Sequence, residues 1–537
     1  MRITTKVIQN NSLTNINTNK LLQDKLSQQM STEKKVNRPS DDPIVAIRAL
    51  RLRTNVNQVT QYYEKNVPDA KSWLEVTESA LSSMSEVVTD MIAQCTKGSN
   101  EDLTTSDRET ILTALKALRD EVYSTGNADY AGRFIFTGYR TDTPLTFGEA
   151  KEQEYTITEQ VDKGLIDSIT YVDSGELLDI NESNFQDDGM DDNGVADPNE
   201  KNHAGVKEQD VTQKQVYRMR LSYNNVAENE DANGDATFEI QNYDGSSFEM
   251  KDANGNVIGP DYRTASVYDE PYKNVEADAV VLVKETGELL LGENVYNELM
   301  KKIDIPTTTA NEGEIRLCYK KDKWEGNDLK PEHYFACSTE VNNKTIHYNS
   351  DYLQGISDEE KQTIEYDVGL NQTIRVNTTA DEVFTHDISR DVEDMVKAME
   401  DTVAMQKQVE KFKKMIEDDP HNAGVETWKN QLAAMEKAFT FLNEKTQQMF
   451  ENGITKMQKH LDAVNFAVTE NGTRGQKLEL ISNRLMSQKT NFETLRSENE
   501  DIDITEVAIK LSSAELTYSS ALMATGKVLQ NNLMNFI

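Results

Sequence analysis

Residues 504–537 read ITEVAIKLSSAELTYSSALMATGKVLQNNLMNFI. Set in heptads with Ile504 at a, the a and d positions are Ile504, Val507, Leu511, Ala514, Tyr518, Ala521, Thr525, Val528, Asn532 and Asn535. Seven of these ten are apolar, and no proline interrupts the run. An apolar stripe of this period is the seam of a helix that packs on other helices. Nothing adjacent in sequence covers it. The expectation is that the two ends of the chain pair, with everything else inserted between them. Toward Thr525, Asn532 and Asn535 the seam turns polar, and there pairing within the chain is expected to give way to contacts with other molecules.

The opposite end offers the cover. Residues 1–33 are rich in Asn and Gln and carry Leu13, Ile16, Leu22, Leu26 and Met30 as an apolar stripe. Alone, such a segment is marginally helical in water. A loop with two prolines follows at 36–43, where Ser40 or Asp41 can cap the next helix and Pro43 suits its first turn. Over 44–97 a second seam runs from Val56 to Gln94, with Pro68 expected to kink or split it. A third helix is predicted over 105–125, capped by Ser106 and Glu109. The period then switches, and 133–138 with 139–147 reads as a strand and its return.

From 150 to about 383 strand-like runs alternate with turns rich in Gly, Asn and Asp, and a hairpin turn is expected at 252–256. Helices return near 387, break at 418–424, weaken at Gly472 and Gly475, and reach the closing helix through an acidic loop at 497–503. The fold class expected is α+β and multi-domain. Both chain ends form a terminal α-helical coiled-coil or bundle core, and a β-rich insertion occupies the middle. The segments are 1–35, 36–149, 150–385 (one or two subdomains), 386–497 and 498–537.

Composition narrows the function. The 537 residues include 57 basic and 93 acidic side chains, a net charge of −36. That balance argues against nucleic acid and anionic membrane as partners. No stretch approaches the ~20 apolar residues of a membrane span. Residues 1–15 lack the apolar core of a secretory signal, so any export is expected to use another route. Cys318 and Cys337 are near enough in sequence to pair, but three cysteines make no disulfide framework and free thiols are the favoured reading. No catalytic pattern is present: none of the six histidines is followed by Glu, and no phosphate-binding loop or nucleophile elbow occurs. The histidines are expected at the surface or in turns. Asp191, Asn193, Asp197 and Glu200 fall at calcium-loop spacing around Gly194. Gly189 at the first position offers no side-chain oxygen, so an acidic surface loop is favoured over a metal site. No cofactor is expected.

Particular motifs carry a family likeness: MRIT at 1–4, NRPSDDP at 37–43, AKSWLEVTESAL at 70–81, GRFIFTG at 132–138, TDTP at 141–144, IEYDVG at 364–369, IRVN at 374–377, and the ending from 498. Over 1–147 and 362–537 the chain resembles the bacterial flagellin family, on its hook–filament junction branch. The resemblance implies paired arms at the axial core, a helical layer around them, a β-rich part facing solvent, and export through the flagellar type III channel. It implies an extracellular structural subunit in a ring of identical copies. The partners would be an adjacent hook-associated protein, flagellin and an export chaperone, with no nucleic acid and no membrane insertion. The assembly residues would be Leu13, Ile16, Leu22 and Leu26 on one arm, and Val507, Leu511, Ala514, Tyr518, Ala521 and Val528 on the other. Arg38, Asp41 and Asp42 read equally well as inter-subunit charge contacts or as a solvated turn and helix cap. The alternatives are a bulk filament flagellin, and a glycan- or protein-binding module in the insertion with Tyr262, Tyr268 and Tyr272 exposed.

Overall fold

The computed structural model describes residues 5–161, 163–190, 201–227, 237–251, 257–303, 315–354 and 362–530. The acidic loop from Asp191, the turn expected at 252–256, the side chain of Val528, and Asn532 and Asn535 lie outside the described residues. The described helices are α1 (Thr5–Thr32), α2 (Pro43–Gln61), α3 (Val67–Gly98), α4 (Thr105–Gly126), α5 (Glu293–Ile303), α6 (Ala380–Val383), α7 (His386–Asp418), α8 (Val425–Glu500) and α9 (Ile504–Gln530). Strands occupy the middle: β1 (Asp129–Tyr130), β2 (Arg133–Phe134), β3 (Lys151–Val161), β4 (Ile166–Asp173), β5 (Thr212–Arg220), β6 (Glu239–Asn242), β7 (Met250–Lys251) and β8 (Val257–Ile258). They continue with β9 (Asp261–Ala265), β10 (Ala279–Val283), β11 (Glu288–Leu291), β12 (Ile315–Trp324), β13 (Ala336–Val341), β14 (Lys344–Tyr348), β15 (Glu365–Gly369) and β16 (Gln372–Arg375). The chain is thus mixed helix and sheet.

Two compact units divide it. One comprises Met1–Lys71, Tyr366–Ile374 and Gly475–Ile537, and the other Ser72–Glu365 and Arg375–Arg474. The second unit holds two five-stranded sheets. One is antiparallel throughout, in the order β14-β13-β3-β12-β6. The other runs β4-β5-β11-β10-β9, with only β9 and β10 parallel. Their facing sides share one core, where Ile157, Leu317 and Tyr319 meet Met219, Val280, Leu282 and Leu289, closed at one end by Val295 and Leu299 of α5. Strand β10 is buried on both faces, since Ala279, Val281 and Val283 pack outward with Val216 and Leu290. A separate core fastens Val172, Leu177, Ile180 and Val211 to Met405, Val409 and Phe412 of α7 and Trp428 and Met435 of α8.

Charge reinforces that seam. Arg218 and Arg220 sit two apart on β5 and point the same way. Arg218 donates from Nη2 to Asp394 (2.6 Å) and from Nε to Asp167 (2.7 Å), and also pairs with Glu288. Arg220 meets Asp391 at 2.8 Å and Asp394 at 3.1 Å. Asp391 in turn accepts from Lys456 Nζ at 2.7 Å. Burial disfavours the charge on Arg218, yet Asp394 and Glu288 hold its pKa well above the usual value.

Several expectations change. Pro68 does not split a helix. The chain inserts one π turn at Tyr62–Asn66, where Val67 N donates to Tyr62 O, and so loosens the ladder where proline removes a donor. The third helix is capped by Thr104 and Asp107, not Ser106 and Glu109. Of the hairpin expected over 133–147 only β2 is a strand, and it pairs back with β1 at Asp129–Tyr130, while Ile135 and Phe136 are buried in turns. Gly472 and Gly475 lie inside α8, which runs unbroken to Glu500 and shortens the acidic loop to three residues. Elsewhere glycine is needed for contact. A Cβ at Gly98 would lie 2.3 Å from Phe450, and one at Gly453 would lie 2.4 Å from Met395 Sδ, so α8 approaches its neighbours closely there.

Candidate assembly site

In the first unit, α1 and α9 run antiparallel, joined where one ends and the other begins. Lys35 N donates to Glu500 O at 2.7 Å and Ile502 N to Glu33 O at 3.1 Å, an isolated bridge around Lys34 and Asp501. Glu33 adopts φ 57°, which turns the chain out of α1. The Lys34 ammonium binds Asp501, and this hydrogen bond, with one from Ser497, lowers the Asp501 pKa. Arg53 of α2 makes a two-pronged pair with Glu500, 2.7 Å from each of Nε and Nη2, and Asn499 Nδ2 donates to Val45 O at 3.2 Å.

The expected seam is only partly closed. Leu26, Val507 and Ala514 are buried together, with Leu511 and Ile502 packed against them. Ile16 is also buried, while Tyr518 and Ala521 are half-buried. Leu13 is 55% exposed and Leu22 48% exposed. One partner helix covers a narrow stripe of its neighbour, and these two leucines fall on either side of it. Ile504, placed at a in the seam, is 51% exposed and lies off it.

A second apolar stripe lies on the other face of α9. Ile509, Leu516 and Met523 are spaced by seven and fall at the f position of the same heptads, on the side of α9 away from Val507 and Ala514. They are 66%, 71% and 65% exposed, and Ser512, Ser513, Ser519 and Ser520 lie beside them. Position f is normally polar, so three apolar residues there were a legible signal. Ile44, Ile47 and Leu50 of α2 are likewise exposed. Seventeen of the twenty-five large apolar side chains exposed among the described residues belong to this unit, about a quarter of the chain. Apolar surface concentrated in this way marks an interaction surface.

The loop residues resolve into local roles. Asp42 is the N-cap of α2 and accepts from Ile44 N (3.0 Å) and Val45 N (3.1 Å). Asp41 accepts from Arg38 N at 3.1 Å. The Arg38 side chain is exposed and makes no ion pair among the described residues.

Outside this unit the expected surface groups are mostly interior. His203, His333 and His386 are buried, where histidines at the surface or in turns were expected, and burial pushes His333 and His386 down to about 3. Cys318 pairs in register with Thr158 and Cys337 with Ile157, so the two thiols sit on opposite faces of strands flanking β3, and both are free. Of the three tyrosines only Tyr268 is exposed, at 87%. Tyr262 donates to Ile240 O at 3.5 Å and Tyr272 stacks on Tyr171. No group of three or more metal-ligating side chains occurs among the described residues, and no described helix is long and apolar enough to cross a membrane.

Comparison with known proteins adds names to this geometry. Residues 3–141 match the family model of the bacterial flagellin N-terminal helical region. Flagellar hook-associated protein 3 of Salmonella typhimurium is 33% identical over 167 residues, 30% of this chain and 52% of that protein. A flagellin of Clostridium tyrobutyricum is 28% identical over 122 residues, 23% of this chain and 32% of its own length. The chain therefore spans about half the length of its hook-associated relative. The solved flagellar junction protein of Legionella pneumophila aligns over 85% of this chain and 100% of its own, at 10% identity and a TM-score of 0.26. Over residues 3–141 the chain carries a flagellin-type N-terminal helical region, and the curated relatives that share this likeness are named flagellar hook-associated protein 3 and flagellin.

Proposed function

We propose that the chain is a structural, non-enzymatic subunit of the bacterial flagellum that joins hook to filament. Its arms, α1 and α9, pair as a coiled coil, and the β-rich middle is inserted between them in sequence. The observation that carries the reading is the uncovered f-position stripe of Ile509, Leu516 and Met523. A helix pair with apolar residues on both its inner and outer faces has one face for itself and one for neighbours. Leu13 and Leu22, left open beside the pair, and Arg38 in the loop before α2 belong to the same neighbour-facing surface. Copies of the chain in a ring, an adjacent hook-associated protein and flagellin are its partners. An export chaperone covers the exposed α9 stripe before assembly, and the site of action is extracellular. The likeness to flagellar hook-associated protein 3 over the matched residues supports junction over bulk filament. Immuno-electron microscopy with an antibody to the β-rich middle tests this. Label confined to the hook–filament boundary is expected, and label along the filament would make the chain a flagellin.

A further inference from the structure

Strand β3 turns Tyr155, Ile157, Glu159 and Val161 into the core between the two sheets, each buried. Glu159 is the anomaly, a carboxyl 1% exposed at the centre of an apolar layer. It accepts from Tyr319 Oη on β12, in its own sheet. It also accepts from Ser222 N, just past β5 of the other sheet, at 3.2 and 3.4 Å. Its carboxyl therefore ties the two sheets together.

Among the described residues no cation makes an ion pair with Glu159. Arg390 of α7 exerts a positive influence on it, but its guanidinium is committed to Glu393 at 2.8 Å and to the carbonyls of Thr286 and Gly287. Tyr223 and Tyr319 are buried phenols held neutral by desolvation. His386 of α7 is buried beside the same gap and kept uncharged. That gap is a cavity of about 450 Å³ lined by Glu159, by Arg220, Lys456, Lys459 and His460, and by Asp381, His386, Asp387 and Asp391. There Arg220, Lys456 and His460 are all engaged by Asp391, at 2.8, 2.7 and 3.3 Å.

We propose that Glu159 is a proton-dependent latch between the two sheets. Protonated, it is a neutral tie joining β3, β12 and the segment after β5. Ionised, it has two donors and no contacting cation, and the junction opens toward the cavity so that water can reach the carboxylate. Burial pushes Glu159 up to about 7, against the pull of Tyr319 and Ser222, which sets the window. A folded-state value raised above the unfolded one means that stability is full below the unfolded pKa of ~4.5. It is lost as pH rises toward the folded value and is level beyond it. The expected loss is on the order of a hundredfold in the folding equilibrium constant.

Denaturant unfolding of the full chain between pH 5 and pH 8.5 tests this with Glu159→Gln, a neutral isostere. The stability advantage of the variant over wild type should grow by roughly a hundredfold across that range. Comparing the two chains cancels the opposite trend that His333 and His386 impose. An advantage that does not change with pH would overturn the proposal. Should Glu159→Gln not fold, infrared spectroscopy of the wild type is decisive. A protonated-carboxyl band should titrate near neutrality and shift to higher pH in Tyr319→Phe. Amides of residues 221–226, corrected for intrinsic rate, should exchange faster at pH 8 than at pH 6. Absence of a Tyr319-sensitive band, or equal exchange at the two pH values, would equally overturn it.

Discussion

Leu516→Asp separates the two faces of α9. Leu516 is 71% exposed in the single chain. An aspartate there touches no core, so chain stability should change by no more than about 0.5 kcal/mol. Covering the remaining surface of the leucine in an assembly is worth about 1–2 kcal/mol, its exposed share of the 1.5–3 kcal/mol for a fully buried side chain. Putting a carboxylate into that contact adds a desolvation cost of about 1–3 kcal/mol. At 1.4 kcal/mol per factor of ten, each such contact should weaken roughly thirtyfold or more. Leu511→Asp is the paired control. Leu511 packs on Leu26, Val507 and Ala514, so its replacement should unpair α1 from α9 within the chain as well as block assembly. Thermal unfolding and amide exchange read the chain, and sedimentation with hook–filament fragments, together with swimming, reads assembly. Leu516→Asp should melt like wild type and fail to sediment. If it assembles at the wild-type concentration, the outer stripe is not an interface.

Other outcomes follow from particular contacts. Arg218→Met leaves Asp167, Glu288 and Asp394 facing one another in a buried seam, and should cost about 3–5 kcal/mol in urea unfolding, with the loss centred on the sheet–helix contact. Alkylation at pH 8 should modify half-buried Cys318 first and Cys95 and Cys337 slowly, since burial pushes both of the latter up to about 12; no disulfide should form under mild oxidation. Below pH 6.5 the unfolded chain protonates its histidines while His333 and His386, held down to about 3, do not, so stability should fall as pH drops from 6.5 toward 3, and His386→Phe should soften that slope.

Much of the frame was legible because its signals are local. Val280, Val281 and Leu282 form an unbroken apolar run, and only a strand buried on both faces needs one. The α9 seam follows from its period, but period alone does not say how wide a stripe one neighbour covers, and Leu13 and Leu22 lie beside the stripe that α9 covers. Gly472 and Gly475 do not break α8. Each costs a helix about 1 kcal/mol, and the flanks return more through buried Val464, Leu478 and Ile481 and through Asn471 Nδ2 donating to Leu74 O. Thr104–Asp107 and Ser106–Glu109 have the same spacing, so the cap register was undetermined by motif. The Arg218–Asp394 and Arg220–Asp391 contacts join residues more than 170 apart. Their trace in sequence was only a same-face pair of arginines on a strand and a same-face pair of aspartates on a helix.

The bridge between Lys34 and Asp501 closes a circuit of 467 residues. Closing so long a loop from the open chain costs about 5 kcal/mol of entropy, more than one backbone ladder step and a half-exposed ion pair return. The circuit is shortened beforehand, because Asn471 already holds Leu74 in the second unit and leaves only the lengths from 35 to 74 and from 471 to 500 to be gathered. Loop-closure entropy therefore favours a sequence of events in which the middle of the chain gathers first and the two outermost helices meet last.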